Sequence, residues 1–131
     1  MKYLPNIAGA LLGFAFLAGS IVYFFKLAPI PPLPAGSPTA MFMGALMPTG
    51  YMDFVKTCEL LGGIMVAIPR LRNIGLLFLG PVILNIIAFH AFIAKDIMTD
   101  FSLPVISLIA LYLLWVERKA FAGLVTRTPI P

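Results

Sequence analysis

Charged side chains are scarce in this chain. Asp, Glu, Lys and Arg make up 11% of its 131 residues, whereas about 25% is ordinary for a soluble domain. Hydrophobic residues make up 61%, and the mean hydropathy is +1.04. Because so apolar a chain cannot cover a soluble globule of this length with polar groups, we predict an integral membrane protein.

Cysteine and histidine are each present once, as Cys58 and His90. A single cysteine excludes an intramolecular disulfide, and no CxxC pair or Cys/His cluster is available to hold a structural metal. A single histidine excludes haem held by two histidines, and no flavin-binding glycine fingerprint is present. The sequence therefore predicts no metal site and no covalently bound cofactor.

The few charges that are present give a net charge of +4 and a pI near 9.5. The basic residues are scattered among loops and ends, whereas a nucleic-acid surface would cluster them on one face, so we expect no nucleic-acid partner. Six of them fall in segments expected on one side of a membrane: Lys2, Arg70, Arg72, Arg118, Lys119 and Arg127. The positive-inside rule then predicts a cell (inner) membrane protein with both termini cytoplasmic and with Arg70 and Arg72 as an orientation-setting basic hinge.

Four apolar runs, separated by proline or charge, predict four transmembrane helices at about residues 6–25, 51–68, 73–93 and 101–118. A run of about 20 residues matches a hydrocarbon core of roughly 30 Å. The first run also has the length of a signal peptide, but the small residues 18–20 lead into further apolar sequence, which favours a retained helix. The fold class expected is an all-α membrane bundle, with residues 1–131 as a single domain.

Prolines at 29, 31, 32, 34 and 38 must end the first helix, because proline lacks the donor that a helix interior requires. Ser37 followed by Pro38 then resembles an N-cap with proline at the first helical position. This pattern predicts a short helix over about residues 38–47, too apolar for a solvated loop and too short to span. We interpret it as an interfacial or re-entrant helix between helices 1 and 2.

Two apolar runs carry polar side chains that are costly in a membrane: Glu59 in helix 2, and Asn85 and His90 in helix 3. The very short loop between these helices makes them neighbours, so Lys56, Glu59, Asn85 and His90 are candidates for a pocket that holds a polar head or relays a proton. A purely structural interpretation also stays open. In that case Glu59 pairs with Lys56 at i, i−3, Asn85 bridges helices, and His90 lies at the headgroup level.

Several stretches resemble the DoxX family of small four-helix membrane proteins. Residues 50–63 read GYMDFVKTCELLGG, and residues 80–90 read GPVILNIIAFH after the basic hinge. The AMFMGAL segment at 40–46 and the LYLLWVER segment at 111–118 extend the likeness over nearly the whole chain.

The resemblance implies an accessory membrane subunit of a quinone-linked redox or oxidative-stress complex, with quinone as the molecule it contacts. It implies Lys56, Glu59, Asn85 and His90 as candidate functional residues. Because the chain has no flavin or haem signature, an electron-transfer centre would belong to a partner subunit, and a homo-oligomer is the other arrangement considered. The alternative function is a structural anchor or assembly subunit without chemistry of its own, so whether the chain is itself an enzyme stays open.

Overall fold

The structure is a computed structural model that describes residues 1–126. Within that range the chain forms helices and connecting segments and no β-strand, which confirms the all-α prediction. The elements in chain order are α1 (Leu4–Phe24), α2 (Pro38–Leu46), α3 (Tyr51–Ala67), α4 (Arg72–Ala88), a π-helical segment (Phe89–Ala94), α5 (Ser102–Val116) and α6 (Arg118–Val125). Arg127, which contributed to the predicted orientation, lies outside the described residues.

Two helical stretches in residues 1–126 are long and apolar enough to cross a membrane, judged by length and composition alone. One is α1, with 21 residues and a mean hydropathy of 2.0, and the other is Arg72–Ala94, with 23 residues and 2.3. The remaining predicted spans are shorter, since α3 has 17 residues and α5 has 15.

Glycines allow α1, α3 and α4 to approach closely. A Cβ atom on Gly13 would lie 2.5 Å from the Gly63 carbonyl oxygen, and one on Gly75 would lie 2.5 Å from the Val66 nitrogen. Neither distance is possible for a real side chain, so these positions bring α1 and α4 against the backbone of α3. These glycines therefore serve packing within the chain.

The core lies along this seam and extends to α5. Its largest fully buried side chains are Leu12 of α1, Val66 of α3, Leu79 of α4 and Leu113 of α5. Since one buried residue comes from each of the four long helices, they form one bundle around a common apolar core.

The short helix α2 confirms the prediction for residues 38–47. The Ser37 hydroxyl accepts a hydrogen bond from the Ala40 backbone amide at 3.1 Å, and Pro38 occupies the first turn. Phe42 of α2 packs on Phe89, with ring centroids 5.0 Å apart. That contact attaches α2 to the π-helical segment.

The last predicted helix, over about residues 101–118, is followed directly by a second helix in the structure. The structure ends α5 at Val116 and begins a separate helix, α6, at Arg118. Glu117 forms the corner, with φ −89° and ψ 9°, and its carboxylate reaches back to Arg72. The break thus occurs at a charged residue, Glu117, whose side chain pairs with Arg72 of another helix.

Candidate functional site

A groove of about 830 Å³ opens at the end of the bundle where α1 stops and α3 starts. We call it the Lys56 groove. One wall is the apolar end of α1 together with the following segment through Pro31, and the other is the first turns of α3. Its polar lining consists of Tyr23, Lys26, Asp53 and Lys56. A concave apolar site with a few polar groups is the usual form of a small-molecule site in proteins.

Lys56 joins the groove to the buried carboxylate of Glu59. Lys56 Nζ lies 2.9 Å from Glu59 Oε2, one turn further along α3. The Glu59 side chain is 6% exposed and the Lys56 side chain 23% exposed, so Lys56, which also lines the groove, is the more accessible member of the pair. A buried carboxylate requires such a partner, because an unpaired buried charge is strongly destabilising.

Side chains of α1 hold Lys56 and Asp53 in place. The Ser20 hydroxyl, which is fully buried, donates to the Lys56 backbone carbonyl at 3.3 Å. The Tyr23 hydroxyl donates to Asp53 Oδ1 at 2.7 Å, and its ring centroid lies 5.9 Å from Lys56 Nζ. The last turn of α1 and the first two turns of α3 therefore form one polar assembly.

This assembly can bind an oxygen atom of a ligand. An ammonium group has three N–H donors, and Glu59 takes one of those on Lys56. A carbonyl or anionic oxygen entering the groove can accept another, while the apolar walls contact the rest of the molecule. Within residues 1–126 no three His, Cys, Asp or Glu side chains are placed to hold a metal ion.

The structure brings Lys56 and Glu59 together but gives the other two candidates different partners. Asn85 is exposed, and its amide donates to the Pro81 carbonyl of its own helix at 2.8 Å. His90 Nδ1 lies 2.6 Å from Asp96 Oδ1, in the connection that follows the π-helical segment. Among the described residues no hydrogen bond joins Asn85 or His90 to Glu59, so any role for them in the pocket stays a prediction.

The corner near His90 also contains Asp100, at the start of α5. Its carboxylate accepts hydrogen bonds from the hydroxyl and the backbone amide of Ser102. These two bonds, assisted by the nearby His90, hold the pKa of Asp100 below its ordinary value. The corner is thus a set of charges at the surface beside α2.

The two arginines of the predicted basic hinge have different environments. Arg70 is exposed, whereas Arg72 is 4% exposed and is the first residue of α4. Arg72 donates to Asn6 Oδ1 at 2.9 Å and to Glu117 Oε1 at 3.4 Å. It therefore ties α1 and the α5–α6 corner to α4, at the end of the bundle opposite the Lys56 groove.

Sequence reasoning missed Tyr23, Ser20 and Asp53, and also the Arg72 cluster with Asn6 and Glu117. One signal was available for each set. The last turn of the first helix and the first turn of the next must lie at the same end of an antiparallel pair, which places Tyr23 near Asp53. The same reasoning places Asn6, Arg72 and Glu117 together at the other end.

The comparisons with known proteins add little about function. No protein-family model matches the chain. No solved structure gives a significant match. The chain is similar to a curated protein from Bacillus subtilis (strain 168), described as "Uncharacterized protein YwoB", with 29% identity over 80 residues. The aligned stretch covers 61% of this chain and 51% of that protein, so the chain spans about half the length of the curated relative it matches.

Proposed function

We propose that this protein is a multi-pass membrane protein with a four-helix bundle whose Lys56 groove binds the polar head of an apolar molecule, a quinone. In this proposal it acts as an accessory subunit of a quinone-linked redox or oxidative-stress complex, and a partner subunit carries the electron-transfer centre. The observation that carries the proposal is that Lys56, whose ammonium group is held by buried Glu59 at 2.9 Å, lines an apolar groove.

The outward surface of the helices supports the membrane location. Large apolar side chains are more than half exposed on α1, α4 and α5, including Phe14 at 69%, Leu84 at 68% and Leu108 at 66%. Soluble monomers rarely expose contiguous apolar area on this scale, whereas a bundle in lipid requires it. We accordingly expect the four long helices to span, with α3 crossing by means of its polar first turn.

The groove chemistry supports a quinone as ligand. A quinone carbonyl accepts a hydrogen bond from Lys56 Nζ, and its isoprenoid tail matches the apolar wall formed by Val22, Leu27 and Ile30. A volume of about 830 Å³ lies in the range of ligand-sized sites. The Lys56–Glu59 pair also gives the bound head a neighbouring carboxylate that can exchange a proton with it.

Photolabelling with an azidoquinone in membranes tests the binding step. We expect label on residues that line the groove and competition by unlabelled quinone. Replacing Lys56 by Met should weaken binding about tenfold or more, because a hydrogen bond to a charged group contributes roughly 1.5–3 kcal/mol. Lys95→Met is the matched control, since Lys95 lies at the same end of the bundle but does not line the groove. Label outside the groove, or equal binding by both variants, would contradict the proposal.

Glu59→Gln tests the chemical step while keeping the size of the side chain. In cells with matched membrane levels of protein, we expect Glu59→Gln to lose quinone-dependent electron transfer or resistance to quinone stress. His90→Gln should behave as wild type if the site consists of the groove alone, since His90 pairs with Asp96 instead. Wild-type behaviour from both variants would favour the structural anchor, in which the Lys56–Glu59 pair only stabilises α3.

A further inference from the structure

A second groove lies at the opposite end of the bundle, between α1 and α5. Its volume is about 300 Å³, and Leu4, Ile7 and Leu11 form one side while Leu108, Ile109 and Tyr112 form the other. Leu4 begins α1 and Tyr112 lies one turn before the end of α5, so the groove starts at the end of the bundle that holds Arg72. Its lining is apolar apart from the Tyr112 hydroxyl.

The excess positive charge of the described chain lies at this same end. Five cations are located there against one carboxylate, Glu117, which Arg72 already engages. The opposite end has three cations against four carboxylates. The cations at the Arg72 end are Lys2, Arg70, Arg72, Arg118 and Lys119, and all except Arg72 are exposed.

Two of these cations begin helix α6, which follows α5 at the Arg72 end of the bundle. Because Glu117 turns the chain at the end of α5, Arg118 and Lys119 follow directly after the helix that lines the groove. Arg118 donates to the Trp115 carbonyl at 2.7 Å and lies 4.2 Å from the centroid of the Trp115 ring. Its guanidinium therefore stays at the end of α5.

The residues of α6 divide into two sides. On a helix of 3.6 residues per turn, Phe121, Leu124 and Val125 share one apolar side, with Arg118 at its edge and Lys119 well away from it. Phe121 packs against the core, while Leu124 and Val125 are 70% and 88% exposed. An amphipathic helix of this kind lies in the headgroup region of a bilayer.

From these observations we infer that an anionic phospholipid binds at this end, with an acyl chain in the α1–α5 groove and its phosphate among Lys2, Arg118 and Lys119. The apolar groove suits an acyl chain, and these cations, which no carboxylate of residues 1–126 pairs with, suit a phosphate. This inference goes beyond the Lys56 groove and rests only on the membrane location in the proposed function. Each basic side chain near the surface should favour an anionic over a zwitterionic lipid by about fivefold.

Trp115 provides the measurement, because it is the single tryptophan and is 61% exposed beside the groove. The protein is reconstituted in two sets of phosphatidylcholine vesicles. One set contains a minor fraction of brominated phosphatidylglycerol, and the other contains the same fraction of brominated phosphatidylcholine. We expect bromine to quench Trp115 fluorescence more strongly from phosphatidylglycerol, with a relative affinity of at least about fivefold that falls as salt rises.

Two double variants test the binding of the lipid headgroup and the binding of the acyl chain separately, each with a control. Lys2→Gln with Lys119→Gln should lower the preference for phosphatidylglycerol by about fivefold for each cation removed, whereas Lys26→Gln with Lys95→Gln, at the other end, should keep it. Leu11→Phe with Leu108→Phe should fill the groove and reduce quenching by both lipids. Both leucines are more than half exposed, so the core is spared, and Leu84→Phe on α4 is the control.

The outcomes distinguish this inference from the proposed function. Equal quenching by the two lipids in the wild-type protein would overturn the anionic lipid site and leave the Lys56 groove untouched. Absence of quenching by either lipid would overturn the membrane location, and with it both proposals. Loss of azidoquinone labelling with a retained phosphatidylglycerol preference would overturn the quinone site alone.

Discussion

Replacing Gly13 by alanine should destabilise the protein, whereas the same change at Gly19 of the same helix should stabilise it. A Cβ atom on Gly13 would lie 2.5 Å from the Gly63 carbonyl oxygen and 2.9 Å from the Ala67 Cβ atom. At Gly19 no atom lies within 4 Å of the corresponding position. The two variants thus add one methyl group to α1, once inside the crossing with α3 and once outside it.

The magnitudes follow from two opposing effects. Alanine in place of glycine favours the helix by up to about 1 kcal/mol, and this gain applies at both positions. Forcing an additional methyl group into a closely packed contact costs about 1–3 kcal/mol, and this applies only at Gly13, because backbone atoms cannot rotate away. The free energy of unfolding should therefore be about 1–3 kcal/mol lower for Gly13→Ala than for Gly19→Ala.

Unfolding in mixed micelles with a rising fraction of dodecyl sulfate, followed by far-UV circular dichroism, measures this difference. Equal stability of the two variants, or a more stable Gly13→Ala, would refute the close approach of α1 to α3. The comparison does not depend on the ligand, on a partner or on the lipid, so it tests the packing alone.

Two further predictions concern charged residues at the two ends of the bundle. Glu117→Gln should lower the free energy of unfolding by about 1–3 kcal/mol, because it leaves buried Arg72 without its carboxylate, while Arg70→Gln at the exposed neighbour should change it by no more than about 0.5 kcal/mol in the same titration. Equal effects would contradict the Arg72 cluster. Ser102→Ala should raise the pKa of Asp100 toward its ordinary value in a ¹³C NMR titration, because the hydroxyl bond is the largest cause of the lowered pKa. Since the folded pKa is lowered, the stability that Asp100 contributes is present above its unfolded pKa and is lost as pH falls through the folded value, and Ser102→Ala should weaken that acid dependence.

The positions of the long helices could be predicted because local signals determine them. Pro69 and the prolines at 29, 31, 32 and 34 lie just beyond the ends of α3 and α1, and an apolar run between such stops has few alternatives to a helix. Ser37 and Pro38 likewise predicted the start of α2 from two adjacent positions. The Lys56–Glu59 pair was foreseeable for the same reason, since a spacing of three places both side chains on one face of a helix.

Features that depend on contacts between helices could not be predicted from local sequence signals. At the break, Glu117 pairs with Arg72, which lies 45 residues away in the sequence. From the sequence alone, the charged run at 117–119 was interpreted as the end of a transmembrane span. His90 and Asn85 were predicted as pocket candidates with Glu59 because the depth of a residue in a helix can be estimated from sequence, but the direction of its side chain depends on local bonds. In the structure, His90 pairs with Asp96, and the Asn85 amide donates a hydrogen bond to the carbonyl of Pro81 on its own helix.

The two polar clusters differ in how they stabilise the fold, and this difference bears on where function is possible. Arg72 bonds to Asn6 and Glu117 across helices, so losing either bond loosens contacts between α1, α4 and the α5–α6 corner. Lys56 and Glu59 lie on one turn of one helix, so the contacts between α1 and α3 persist when that ion pair opens. A ligand oxygen can therefore accept a second N–H of Lys56, while Glu59 keeps the first, without separating the helices. The end of the bundle that holds the groove is thus the end at which binding disturbs the fold least.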